Sequence, residues 1–265
     1  MKPFLQALDK ALSHASLPSP SIPHLPSPRY GADAKDASAT HITQSWVWHR
    51  FAKFLKPNDI VIAETGTSCF GLCDVKFPAK VRFVTQIYYG SIGYCAASTL
   101  GVSIAAEERE QEKGDSKARV ILVTGDGSLN LTVQEVATMC KEGVKPILVV
   151  INNRGYTIER IIHGARQTYN DVANMNYKHM LAFFNHPSPD NSFWRAETKE
   201  DFEKVLEEKA LDQPDNVKVL EVITEKNDVP WRLCKQLALR GEPYISYLKE
   251  EGFMDKDMTL DEIKG

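Results

Sequence analysis

The chain has 265 residues, 43% of them hydrophobic and 25% charged, with a net charge of -3. That is the composition of an ordinary soluble globular protein, long enough for one large domain or two small ones. It gives no sign of a nucleic-acid-binding surface, no apolar run approaches the ~20 residues that span a bilayer, and no basic-then-apolar signal peptide opens the chain, so the cytosol is the expected location.

Residues 1–15 have the pattern of a short amphipathic helix. Pro18 to Pro28 (PSPSIPHLPSP) reads as an extended linker, since proline fixes φ and removes backbone donors. The spacing therefore predicts a Pro-rich segment over 1–40, a folded domain over 41–225 and a helical, partly disordered tail over 226–265. Ser45 to Leu55 reads as a helix with Trp46 and Trp48 as packing anchors. Asp59 to Ala63 is the first strand, ending at Glu64-Thr65-Gly66-Thr67. Ser91 to Glu108 reads as a helix packed closely through Gly93, Ala96, Ala97 and Gly101, and Glu110 to Lys117 as an exposed charged loop.

Val120 to Thr124 is a β-branched and aliphatic run, the pattern of a strand buried on both faces. Gly125-Asp126-Gly127-Ser128 breaks it. Thr132 with Glu135 fits a capping box, and Val133, Val136, Ala137 and Cys140 then share one apolar helix face. Gly143 and Pro146 end that helix, and Ile147 to Ile151 forms a second strand before Asn152-Asn153. Another helix begins near Tyr156. Val217 to Ile223 is a final strand, and Pro230 to Leu239 a docked helix that Gly241 and Pro243 end. Of the five cysteines, Cys69 and Cys73 lack the companions of a zinc site, while Cys95 and Cys140 fall in apolar helical patterns as reduced core thiols.

These elements make an α/β chain with a parallel β-sheet flanked by helices on both faces. In a right-handed β-α-β unit, Asp126 and Asn153 both lie at carboxyl strand ends, where open α/β sheets bind ligands. A carboxylate, an amide oxygen and a backbone carbonyl at Gly155 suit Mg²⁺ holding a diphosphate, with helix N–H groups facing the same anion. The chain has no G-x-x-x-x-G-K-[ST], and Asn130 stands where G-x-G-x-x-G needs its third glycine.

Gly-Asp-Gly-Ser, then a helix, then Asn-Asn resembles the cofactor motif of thiamine-diphosphate enzymes. TGDGSLNLTVQEVATM, NNRGYTIERIIHG, AETGTSCFG and YYGSIGY narrow the match to the C-terminal, diphosphate-binding domain of fungal pyruvate decarboxylases, from about Thr43 to about Val222. The resemblance implies a thiamine-diphosphate-binding fold, with thiamine diphosphate and Mg²⁺ as cofactors. Asp126, Asn153 and the Gly155 carbonyl match the metal ligands. Thr65, Thr67 and Ser128 match positions lining the diphosphate and the cofactor's linker, and the Gly90 carbonyl matches the acceptor for the aminopyrimidine. Ile92 matches the wedge that bends the cofactor, and Glu159 the catalytic glutamate. Ser91, Gly125, Gly127, Tyr156, Thr157 and Ile158 complete the cofactor-binding set.

The reaction implied is non-oxidative decarboxylation of a small 2-oxo acid, pyruvate to acetaldehyde and carbon dioxide. Indolepyruvate, phenylpyruvate and branched 2-oxo acids remain alternative substrates, and a catalytically inactive cofactor-binding or regulatory fragment an alternative role. Family members are about twice this length and carry an N-terminal pyrimidine-binding domain whose glutamate activates the cofactor; nothing like it appears in the first forty residues. The resemblance thus implies a partner, either a homo-oligomer or a chain carrying that domain. Without that proton relay, low activity is expected, an effect worth about 10²–10⁴-fold.

Overall fold

The computed structural model describes residues 1–13, 15–16, 38–114 and 117–258. Strands β1 (Ile60–Ala63), β2 (Arg82–Thr85), β3 (Val120–Gly125), β4 (Ile147–Asn152), β5 (Phe193–Ala196) and β6 (Lys218–Ile223) pair in parallel in the order β2-β1-β3-β4-β6-β5. The central strands are mostly apolar because both faces are covered, with Lys218 and Glu221 the buried charges of β6. Val61, Ala63, Ile121, Val123, Val149 and Ile151 pack on one face against α2 (Gln44–Phe54) and α9 (Lys199–Leu206). Ile62, Leu122, Leu148 and Val150 pack on the other with α4 (Tyr94–Lys113), α6 (Gln134–Glu142) and α8 (Met180–Phe183).

The connections create the crevice. The chain leaves β1 through α3 (Thr67–Leu72) toward β2, on one side, while β3 leads through α5 (Asp126–Leu131) and α6 to β4, on the other. The carboxyl ends of β1 and β3 are therefore the topological switch point, where ligands of open α/β sheets bind. A third apolar cluster joins Ile161 of α7 (Thr157–His163) to α11 (Trp231–Ala238) and α12 (Glu242–Glu250).

Several sequence expectations are corrected. The capping box does not form: α6 starts at Gln134, and the Thr132 hydroxyl instead donates to the Gly93 carbonyl at 2.8 Å. The long helix begins at Tyr94, not Ser91, because Gly93 is left-handed at φ 87°, and it runs through Glu110 to Lys113, where left-handed Gly114 stops it. Residues 126–131 are helical instead of a plain turn. Pro243 opens α12 near its start, where its missing N–H costs nothing, instead of closing the preceding helix. Within the tail, Phe253 and Met254 are buried with α11 and α12.

The sequence reading also missed β2, β5, α3, α8, α9 and α10 (Lys209–Asp212). A short helix, α1, does span Lys2–Leu12. The linker at 18–28 and the end of the tail at 259–265 lie outside the described residues.

Candidate functional site

Asp126 leaves the last strand residue of β3 and is buried, at 3% exposure, with its carboxylate turned to the loop after β4. There the Asn153 side-chain amide lies 3.3 Å from Asp126 Oδ1 and 2.6 Å from the Gly155 carbonyl oxygen. With its nitrogen turned toward them the amide donates to both, and a bound cation would require it to turn its oxygen inward instead. The other end of the Asn153 amide meets the Thr157 hydroxyl at 2.9 Å. Burial pushes the Asp126 pKa up to about 6; N–H bonds from Gly127, Asp126 itself and Gly155, and the more distant Arg160 charge, offset this only in part. One carboxylate, one amide oxygen and one carbonyl are hard ligands, and this donor set fits Mg²⁺.

The 153–157 loop is held from below. Arg154 and Gly155 take positive φ, 61° and 143°. At Gly155 a Cβ would collide with the Asn170 carbonyl oxygen and the Arg160 guanidinium, so only glycine fits. Arg160 is fully buried and spends its donors on this loop: Asn153 O at 3.1 Å, Arg154 O at 2.6 Å and Thr157 Oγ1 at 3.2 Å. Its charge is met by Asp171 at 2.5 Å, and Lys226 reaches the same carboxylate at 3.0 Å. The Tyr156 N–H donates to Asn170 O at 2.8 Å. Such outer contacts fix where the Gly155 carbonyl and the Asn153 side chain point.

The opposite wall comes from β1. Glu64, buried at the strand end, accepts the Thr65 N–H at 2.8 Å and the Cys95 N–H at 3.2 Å, tying β1 to the start of α4. Burial raises its pKa, against the pull of these N–H donors. Gly66 turns the chain at φ 135° into α3.

Between these walls lies a cleft of about 560 Å³, its open mouth included. Thr65, Thr67, Ile92, Gly125, Gly127, Ser128, Asn153, Gly155, Tyr156, Thr157, Ile158 and Glu159 line it; Asp126, between Gly125 and Gly127 in the chain, is buried and is not in the lining. Gly127 has no room for a Cβ because the Tyr156 ring rests on it. Gly90 and Ser91 are not in the lining: Gly90 lies against Thr65 at the rim, and the Ser91 side chain is exposed.

Sequence reasoning missed Gly66, Ser68 and Phe70 in the lining, and Glu64, Arg160 and Asp171 behind it. An acid ending an all-apolar strand was a readable signal for Glu64. Nothing in the sequence pairs Arg160 with Asp171.

An all-parallel sheet carrying an oxygen-lined cleft at its switch point defines a cofactor-binding α/β domain. The family described as thiamine pyrophosphate enzyme, C-terminal TPP binding domain, matches residues 64–222, and the chain belongs to that family. It is 41% identical over 201 residues to a pyruvate decarboxylase of Candida glabrata, covering 76% of this chain and 34% of the relative. It is 39% identical over 211 residues to pyruvate decarboxylase isozyme 1 of Saccharomyces cerevisiae (80% and 36% covered). It is also 39% identical over 245 residues to a pyruvate decarboxylase of Kluyveromyces marxianus (90% and 41% covered). The chain thus spans little more than a third of the length of these relatives. A thiamine diphosphate-dependent 4-hydroxybenzoylformate decarboxylase of Rhodococcus jostii RHA1 shares the fold with a TM-score of 0.63 at 14% identity, over 83% of this chain and 39% of that one.

Proposed function

We propose that these residues form the diphosphate-binding half of a 2-oxo acid decarboxylase active site, acting on pyruvate with thiamine diphosphate and Mg²⁺. The observation that carries this reading is the convergence of the Asp126 carboxylate, the Asn153 side-chain amide and the Gly155 carbonyl. Asp126 and Asn153 side-chain oxygens and the Gly155 carbonyl would hold the cation, leaving its other positions to diphosphate oxygens and water. Thr65, Thr67 and Ser128 supply hydroxyls along the cleft for the diphosphate and the linker beyond it. When bound, the cofactor supplies the carbon nucleophile for the keto group and the sink for the electrons left as carbon dioxide departs.

The chain's own residues shape and protonate. Ile92 places a branched side chain in the cleft, as a wedge that favours a bent ligand. Glu159, half-buried in the first turn of α7, holds a carboxyl at the cleft wall from which a proton reaches the product carbon. Ile87, Tyr88 and Tyr89 are 77%, 94% and 90% exposed on the loop that leads to Gly90. A contiguous exposed apolar run beside a cleft is the mark of a covered surface, and we assign it to the pyrimidine-binding half, brought by a second copy or by another chain.

The test is reconstitution. Mixed with a chain carrying the pyrimidine-binding half, Mg²⁺ and thiamine diphosphate, the protein should convert pyruvate to acetaldehyde, and Glu159→Gln should lose about 10²–10⁴-fold of that rate. Cofactor binding with no turnover of any 2-oxo acid would favour a non-catalytic, regulatory module. Turnover of an aromatic or branched 2-oxo acid in preference to pyruvate would overturn the substrate assignment alone.

A further inference from the structure

Cys69 lies within α3 and Cys73 is its C-cap, four residues apart on one face. The Cys73 N–H closes the turn on the Cys69 carbonyl at 3.1 Å. Cys73 is exposed and Cys69 half-buried. The Thr85 hydroxyl donates to Cys69 Sγ at 3.7 Å. We propose that Cys69 and Cys73 are a hydroperoxide-sensitive dithiol, Cys69 the attacking sulfur and Cys73 the resolving one, whose disulfide reshapes the helix walling the cleft.

The geometry permits the bond and gives it a consequence. An ideal helix puts Cα atoms four residues apart at about 6.2 Å, inside the roughly 4.4–6.8 Å range that disulfides span. Their Cβ atoms, about 5–6 Å apart on a helix, must close to about 3.8 Å. The last turn of α3 must therefore open. That helix has only 6 residues, with Thr67, Ser68, Gly71 and Leu72 buried and Gly71 against the Trp48 ring, so the opening falls on its exposed Cys73 end. Its first residues, Thr67 and Ser68, line the cleft.

The roles follow from the contacts. The Cys73 hydrogen bond lowers the Cys69 pKa to about 6, burial opposing and the Thr85 hydroxyl assisting. The same interaction pushes the Cys73 thiol up, so Cys73 keeps its proton. A thiolate is the nucleophile toward peroxides. Cys69 thiolate takes one peroxide oxygen, the O–O bond breaks, and hydroxide leaves and is protonated. Cys73 sulfur then attacks the sulfenic acid, the S–O bond breaks, and water leaves with the Cys73 proton. The two thiols lose two electrons and two protons in all, and hydrogen peroxide becomes two waters.

The test treats the reduced 265-residue chain with hydrogen peroxide and maps its thiols by mass spectrometry. The peptide carrying Cys69 and Cys73 should lose two hydrogens and resist alkylation until dithiothreitol restores both thiols. Amide exchange across Thr67–Cys73 should rise in the oxidised chain. Cys73→Ser should stop at a sulfenic acid on Cys69 that dimedone captures, and Cys69→Ser should leave Cys73 fully alkylatable. Both thiols surviving peroxide in the wild type, or oxidation falling first on another cysteine, would overturn the assignment. A disulfide with unchanged exchange in α3 would overturn its effect on the cleft.

Discussion

Two buried aspartates stand at opposite edges of the sheet and have opposite surroundings. Asp59, just before β1, is 2% exposed and bound by Arg119 through two hydrogen bonds of 2.6 and 3.0 Å. That guanidinium also donates to the Phe54 and Leu211 carbonyls and lies 4.5 Å from the Phe54 ring centroid, so the amino edge is electrically closed. Asp126, at the carboxyl edge, is 3% exposed and is met by backbone N–H groups and the Asn153 amide. Equal burial thus means different things. A buried charge paired with a counter-ion at 2.6 Å is structural, while one met by backbone N–H groups and a neutral amide leaves charge that a bound cation can neutralise.

Removing a partner at each edge should separate the two. Arg119→Met leaves Asp59 buried and unpaired and should cost about 3–5 kcal/mol in urea denaturation; a loss below about 1 kcal/mol would remove the contrast. Asp126→Asn should not lower that stability, and should raise it near neutral pH, while weakening Mg²⁺-dependent thiamine diphosphate binding by more than about 100-fold, as expected when a metal ligand itself is lost. Arg160→Lys keeps the charge but breaks the forked contacts to Asn153 and Arg154, and should weaken the same binding by about 10–100-fold, read by calorimetry.

The smallest effect is a pH slope. The folded chain holds the Asp126 proton until about pH 6, whereas the unfolded chain releases it near 3.8. This group's contribution therefore weakens the cofactor-free fold as pH rises between those values. Asp126→Asn should flatten that slope in chemical denaturation curves. The same proton competes with the cation, so metal-dependent binding should fall about tenfold per pH unit below pH 6.

The central fold was legible because β1, β3 and β4 are largely apolar on both faces and are closed by Glu64, Gly125 and Asn152, signals confined to a few adjacent residues. Asp126, Asn153 and Glu159 were legible through the flanking words more than through periodicity. What escaped depends on contacts between distant residues. β2 carries Arg82 and Phe83 on an exposed sheet edge, so its pattern is not that of a buried strand. Thr132 forms no cap because the Gly93 carbonyl, 39 residues earlier in the chain, takes its proton. Arg160 reads as a surface base within TIERIIH until the loop it holds has closed over it.

The central claim is that the oxygens around Asp126 are a cation site serving a diphosphate. Calorimetric titration of the chain with thiamine diphosphate at neutral pH, with and without Mg²⁺, tests it most directly. Binding heat should appear only with the metal and vanish in Asp126→Ala. Binding of equal strength without a divalent cation, or undiminished in Asp126→Ala, would contradict the account.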